Sequence, residues 1–483
     1  MNLKQGEDLA QGLNNQLLLG NYNRPEYVSS PEGYLTALAW NRRKLDRTAI
    51  PSNQKVALVF KKRGGNASIL THYTTYPFPG NEIVWANAVA SSGIEVDGKS
   101  ERLEIAIVDS LAGVNIADAN SQAAIPLTVN LALLQDRFGM TGKQGSADVG
   151  QILEQMFALG KGDRLDSPID SAALAWESAT AHRMTHDKLL SSINTAAESL
   201  HPFPVIAGET NFDVPVSSVF QEFEKTPFHW FYENWVKITS EKWIDALPAR
   251  VWTDWATTIL RLSFGLGLIF EAKWFDHLAR QILAGEPTEF KTLVKGIDEV
   301  LPWVSRTDPQ SIRNIAPRLN LPIPRSHALR AEISKWVNSS DLSGHTFSEA
   351  VAKMGCDESL KNALQLIFER KRFANVNTLE AIRYALKTRG ARGENADLYG
   401  LLRNLGSQNR VVLVDPAPDW IAVVASLSCA APGTSVELGT IQRSLSQIGL
   451  NPPRDDLVNL LERAGMTRGS ADADQGLLVQ SAY

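Results

Sequence analysis

"WTDWATTILRLSFGLGLIFEAKWFDHLARQIL", residues 252–283, is the stretch whose reading decides the fold class. Trp255, Leu262 and Leu266 recur at roughly helical spacing, as do Leu260 and Phe264, so the stretch reads as a helix. Its most apolar run, "LSFGLGLIF" at 262–270, is closed off by Arg261 and Glu271 and is far too short to span a bilayer. Six of the twelve tryptophans lie nearby, at positions 230, 235, 243, 252, 255 and 274. A stacking platform for nucleic-acid bases would use such residues. Their spacing and the weight of aromatic side chains in core energetics favour a packed interior instead.

The same helical periodicity extends on both sides, through "ADVGQILEQMFALG" at 147–160 and "SAALAWESATAHRMTHDKLLSSINTAAESL" at 171–200. Proline-containing connectors, "HPFPV", "DALPARVW" and "LPIPRSH", break it into separate helices. No fixed-period repeat is present, so a solenoid is not expected. Before residue 125 the pattern changes. "KVALVF", "ASILTHYTTY", "EIVWANAVA", "GIEV" and "LEIAIVD" are rich in Val, Ile, Thr and Tyr and read as strands, with Asp97-Gly98 as a hairpin turn. A helix near "PEGYLTALAWNRRKL" precedes them.

A chain of 483 residues and 53.0 kDa is too long for one ordinary core, and two to four domains are expected. Its 44% apolar and 21% charged residues suit a globular interior. The net charge of −5 gives no global pull toward nucleic acid or anionic membrane, so any such binding must come from local patches. Two cysteines, Cys356 and Cys429, cannot make a disulfide framework or a cysteine-based zinc site. Together with an opening "MNLKQGEDLAQGLNNQ" that lacks the apolar region of a signal peptide, this leads us to expect a cytoplasmic protein with no membrane partner.

The C-terminal segment has a nameable layout. "NRVVLVDPAPDWIAVVASLSC" gives a short strand ended by Asp415 and its prolines, then a helix burying Trp420, Val423, Val424 and Leu427. "TIQRSLSQIGLNPPRDDLVNLLERAGM", 440–466, supplies two more helices, one with Ile441, Leu445 and Ile448, the other with Leu457, Leu460, Leu461 and Ala464. "GMTRGSADADQGLLVQS" reads as two short strands around a polar turn. Three helices followed by a two-stranded wing resemble the winged-helix family over about residues 415–483. The expected fold class is therefore α+β, mainly α, with a β-rich mixed domain at 1–125, a helical domain at 126–410 and a winged-helix-like domain at 411–483.

The resemblance implies a DNA reader, but a DNA-reading winged helix needs cations on its third helix and wing. Residues 412–483 hold four arginines (443, 454, 463 and 468) against eight acids, and the wing itself carries Asp472 and Asp474. Phosphate repulsion favours a protein-docking or structural role. Basic charge gathers elsewhere. Arg42, Arg43, Lys44, Lys61, Lys62 and Arg63 lie in a run opposed only by Asp46, and Arg370, Lys371, Arg372, Arg389 and Arg392 lie in a stretch, 361–410, with ten basic and four acidic residues. Either cluster is a candidate surface for nucleic acid or an acidic partner, and a solvated helix face would look the same.

Catalytic patterns are thin. His182 and His186 stand at i, i+4, an acceptable spacing for two metal ligands, without the Glu of a zincin and with no third ligand placed. Glu82, Asp97 and Lys99 imitate the acid order of metal-dependent nucleases, although Asp97-Gly98 is equally a turn. Asp109 reads as a strand-end carboxylate. "GMTGKQGSADVG" lacks the spacing of a phosphate loop, and no cofactor motif is present. The general make-up resembles accessory proteins of bacterial anti-phage defence and DNA-processing systems, which implies a non-catalytic subunit or adaptor. Its partners would be proteins such as an ATPase or nuclease subunit, with nucleic acid as a further partner. The rivals are a metal-dependent nuclease or hydrolase and a winged-helix DNA-binding regulator.

Overall fold

A computed structural model describes residues 28, 30–45, 58–62, 70–74, 85–91, 93, 100–115, 121–133, 147–161, 169–199, 205–207, 225–304, 314–342, 345–374, 377–388, 396–405, 411–417, 419–468 and 477–483. The protein is mainly helical. Its axis is the 36-residue helix Ala249–Ala284, roughly 54 Å long at 1.5 Å per residue. Pro248 precedes it and Gly285 ends it with φ 71°, the left-handed geometry that lets its N–H reach back to the Gln281 and Ile282 carbonyls. From Trp252 to Ala272 nearly every side chain is buried. A helix apolar on all sides is stable in water only when enclosed, and helices Pro227–Ile238, Pro322–Ser339, Phe347–Gly355 and Asn377–Leu386 enclose this one. Gly265 permits the closest approach, since a Cβ there would fall 2.6 Å from Leu386, and Gly267 a similar one, 2.9 Å from Met156 and 3.0 Å from Phe228.

The six clustered tryptophans are all in the core, each at most 2% exposed. Three of their indole N–H groups donate internally, Trp230 to Ser444 Oγ (3.0 Å), Trp235 to the Ala172 carbonyl (2.9 Å) and Trp252 to the Ile238 carbonyl (2.8 Å). Rings buried in this way cannot stack on bases. No helix among the described residues is long and apolar enough to cross a membrane.

The N-terminal region departs from expectation in two places. Strands Leu58–Lys62 and Leu70–Thr74 form, joining Ser121–Ala124 and Ala112–Asn115 in an antiparallel four-stranded sheet. The segments around 82–90 and 103–109, however, are the helices Trp85–Ser91 and Ser100–Leu111. Trp85 and Val89, then Leu103, Ile107 and Leu111, repeat every four residues and pack against Leu190 and Ile193. Their β-branched composition suggested strands, but the spacing of the buried face prevailed. Asp109 consequently sits inside a helix, not at a strand end.

At the C-terminus, helices Trp420–Ser428, Leu438–Gln447 and Arg454–Arg463 accompany strands Ser435–Glu437, Thr467–Arg468 and Leu478–Gln480. The strands form one antiparallel sheet with Leu478–Gln480 in the middle. Trp420, Ile441, Leu445 and Leu457 belong to the same buried cluster as the central helix, and Lys237 Nζ donates to the Leu427 carbonyl at 2.7 Å.

Candidate interaction surfaces

The helix Glu358–Glu369 begins at Asp357, whose carboxylate accepts from the Leu360 N–H at 2.9 Å. Leu360, Leu364 and Ile367 face inward, while Leu366 on the opposite face is 60% exposed. The helix stops at Arg370, and Arg370, Lys371 and Arg372 follow one another, each exposed. Cations at a helix C-terminus meet the negative end of its dipole, so this run is locally favoured.

Two further arginines come from other helices. In the last turn, Phe368 is flanked by Arg280 (4.7 Å from the ring centroid) and Arg325 (5.1 Å). Both pair with one carboxylate, Asp276, at 2.7 and 2.6 Å. Two cations thus flank one aromatic ring and share a single counter-charge, and the Arg370-Lys371-Arg372 run begins two residues after that ring in the chain. Arg280 and Arg325 were invisible to sequence reasoning, because they lie 45 residues apart and about 90 and 45 from the turn that they join.

The other candidate cations are not brought to this surface by any described contact. Arg42 ends the helix Gly33–Arg42, with its Nε 3.8 Å from Glu177 Oε2. Arg43 and Lys44 lie on a strand paired with Val205–Ala207, and Lys61 and Lys62 on the strand Leu58–Lys62. Arg63, Arg389 and Arg392 lie outside the described residues, as do the proposed nuclease trio Glu82, Asp97 and Lys99, the turn residue Gly98 and the wing acids Asp472 and Asp474.

His182 and His186 do lie side by side, with ring centroids 5.3 Å apart. His182 Nε2 is 3.2 Å from Asp245 Oδ1, and its Nδ1 is 3.9 Å from Glu241 Oε1. Next to it, Arg183 donates to the Ile244 and Leu247 carbonyls, so this edge fastens helix Ala172–His186 to the short helix Glu241–Ala246. Among the described residues, no group of three or more His, Cys, Asp or Glu side chains is arranged to hold a metal ion.

The third C-terminal helix, Arg454–Arg463, exposes Arg454, Asp455, Asn459, Glu462 and Arg463, a face of mixed sign. Its first turn and the chain just before it are tied to the body of the protein. Trp303 Nε1 donates to Asp456 Oδ2 (3.3 Å), Asn451 Nδ2 to the Asp298 carbonyl (2.9 Å), and the Val300 N–H to the Gly449 carbonyl (2.9 Å). Between this helix, Trp303 and the strand Val411–Val414 lies a cleft of about 220 Å³.

Buried charge is fully engaged at one place. Arg261, on the central helix, donates through Nη1 and Nη2 to the two Asp397 carboxylate oxygens at 3.0 and 2.8 Å, and its Nε and Nη2 also reach the Ala385 and Lys387 carbonyls. Desolvation alone would weaken this cation, but the Asp397 charge and hydrogen bonds outweigh it and hold the guanidinium above its usual value. Two turns before, burial pushes the Asp254 carboxyl up to about 7, against the opposing pull of Arg250 and with the Glu32 and Asp397 charges adding to the rise. Comparison with protein-family models and with curated proteins finds no match to this chain.

Proposed function

We propose that the chain is a non-catalytic binding subunit or adaptor, acting in the cytoplasm within a bacterial multi-protein assembly of the DNA-processing or anti-phage defence kind. The observation that carries this reading is the exposed Arg370-Lys371-Arg372 turn set beside Arg280, Arg325 and Phe368. A run of exposed guanidinium and ammonium groups suits a phosphate backbone, where released counterions drive association.

The C-terminal unit would be a winged helix that docks protein. Its element order and its sheet, with the last strand between the other two, support the family resemblance. In a DNA reader the N-terminal turn of the third helix meets base edges. Here that turn carries Asp455 and Asp456 and is fastened to Trp303, which favours a protein partner over a DNA groove.

Fluorescence anisotropy of labelled single- and double-stranded DNA at two salt concentrations, with and without Mg²⁺, tests the phosphate-binding half. Salt-sensitive binding that is abolished in the triple variant Arg370→Glu, Lys371→Glu, Arg372→Glu is the expected result. Absent binding, binding undiminished by the charge reversal, or Mg²⁺-dependent cleavage of the DNA would overturn it.

A further inference from the structure

The cleft beside the third C-terminal helix has walls that are already fixed. The half-buried Trp303 and Val304 form one side, with Val414 from the strand Val411–Val414. The other side is one stripe of the helix, where Asn459, Leu460 and Arg463 follow Asp456 at i+3, i+4 and i+7. Trp303 is held at two points. Its Nε1 donates to the buried Asp456 carboxylate at 3.3 Å, and its ring packs on Trp420 with centroids 6.4 Å apart. The bonds from Asn451 to the Asp298 carbonyl and from the Val300 N–H to the Gly449 carbonyl clamp the two sides to each other. Walls held in this way lose little freedom when the cleft is filled.

Asp456 is spent on Trp303, so the cleft offers two kinds of chemistry. Trp303, Val304, Val414 and Leu460 make its interior apolar, and the exposed Arg463 places a cation at its rim. Volume then sets the size of the occupant. A dry cavity of about 150 Å³ is enough for benzene, so a cleft of about 220 Å³ takes one six-membered ring with its methylene link. Among apolar side chains a ring fits better than an aliphatic group, because it gains edge-to-face contact with the indole. The rim guanidinium favours a carboxylate next to that ring in the partner. We propose that this cleft is the socket through which the C-terminal unit docks an acidic segment of a partner protein. It takes a single phenylalanine or tyrosine side chain, and a neighbouring aspartate or glutamate pairs with Arg463, an assignment that rests on reading that unit as protein-docking.

A random peptide library displayed on phage and panned against the full chain, followed by anisotropy titration of the most enriched peptide, tests the socket. The enriched sequences should share one aromatic residue flanked by aspartate or glutamate. Replacing that aromatic residue by alanine should weaken the peptide at least tenfold. Arg463→Glu, an exposed change that leaves folding intact, should weaken it about fivefold, and a lysine in place of the peptide's acid should restore binding to that variant. Leu460→Ala, which removes part of the apolar wall, should also weaken it, whereas the triple reversal at 370–372 should leave it unchanged. A selection that enriches no sequence, peptides that bind without an aromatic residue, or affinity that survives Arg463→Glu but falls in the triple reversal would overturn the socket. DNA binding that is lost in Arg463→Glu would overturn the protein-docking reading beneath it.

Discussion

Arg261 and Arg370 are the same residue type used in opposite ways. Arg261 sits 3% exposed in the middle of the central helix, and its guanidinium is committed to Asp397 and to two carbonyls at the C-terminal end of the helix Asn377–Leu386. Arg370 ends the helix Glu358–Glu369 in open solvent, followed by two more cations. The first arrangement spends four of the five guanidinium N–H donors inside the protein and serves to fix where one piece of chain lies on another. The second contributes little to folding, because exposed charges are screened and well hydrated, and its value lies in what it attracts. Burial therefore separates structural charge from charge available for recognition.

The largest effect should come from breaking the buried pair on one side. Arg261→Met or Asp397→Asn leaves an uncompensated buried partner and should cost about 3–5 kcal/mol in urea unfolding, whereas the double change Arg261→Met, Asp397→Leu should recover most of that loss. Equal losses in the single and double variants would show that the pair's geometry matters less than the packing around it.

A pH series sharpens the comparison further, because two partly buried groups pull in opposite directions. Asp254, held at about 7 mainly by burial, keeps its proton in the folded chain between about pH 4 and 7 while the unfolded chain has lost it. Its contribution is complete below about pH 4 and declines as pH rises to 7. His327 is lowered to about 4, first by burial and then by the charge of Arg330. Its contribution is complete above about pH 6.5 and is lost as pH falls toward 4. Between about pH 4 and 6.5 the two slopes, each up to about 1.4 kcal/mol per pH unit, oppose each other. Asp254→Asn should leave stability rising with pH in that window and His327→Gln should leave it falling. Midpoints of urea unfolding at half-unit pH steps measure both, and unchanged profiles would show that neither group titrates as its surroundings dictate.

The smallest effect on folding is expected at the surface. The triple reversal at 370–372 should move the unfolding free energy by no more than about 0.5 kcal/mol, even as it removes salt-sensitive binding. A larger loss would mean that these side chains carry packing as well as charge.

How much of this was legible beforehand depends on the range of the interaction. The helical spacing of Trp255, Leu262 and Leu266 and the three C-terminal helices were readable because a helix buries neighbours three and four apart. The segments at 85–91 and 100–111 were misread because Val, Ile and Ala in short runs carry both periods, and only packing against Leu190 and Ile193 chose between them. Arg370, Lys371 and Arg372 were visible as a charge run. Their exposure, and the arrival of Arg280 and Arg325 at Phe368, were not.

By itself, the amino-acid order determined the mainly helical character, the sites of the helix breaks and the deficit of cations in the last seventy residues, since each depends on residue type and short-range spacing. Tertiary structure alone decided which charges are spent inside and which face a partner. It also placed Trp303 against Asp456, 153 residues away, to wall a cleft. The physical reason is that periodicity is a property of adjacent turns, whereas a surface or a cleft is made where distant segments meet.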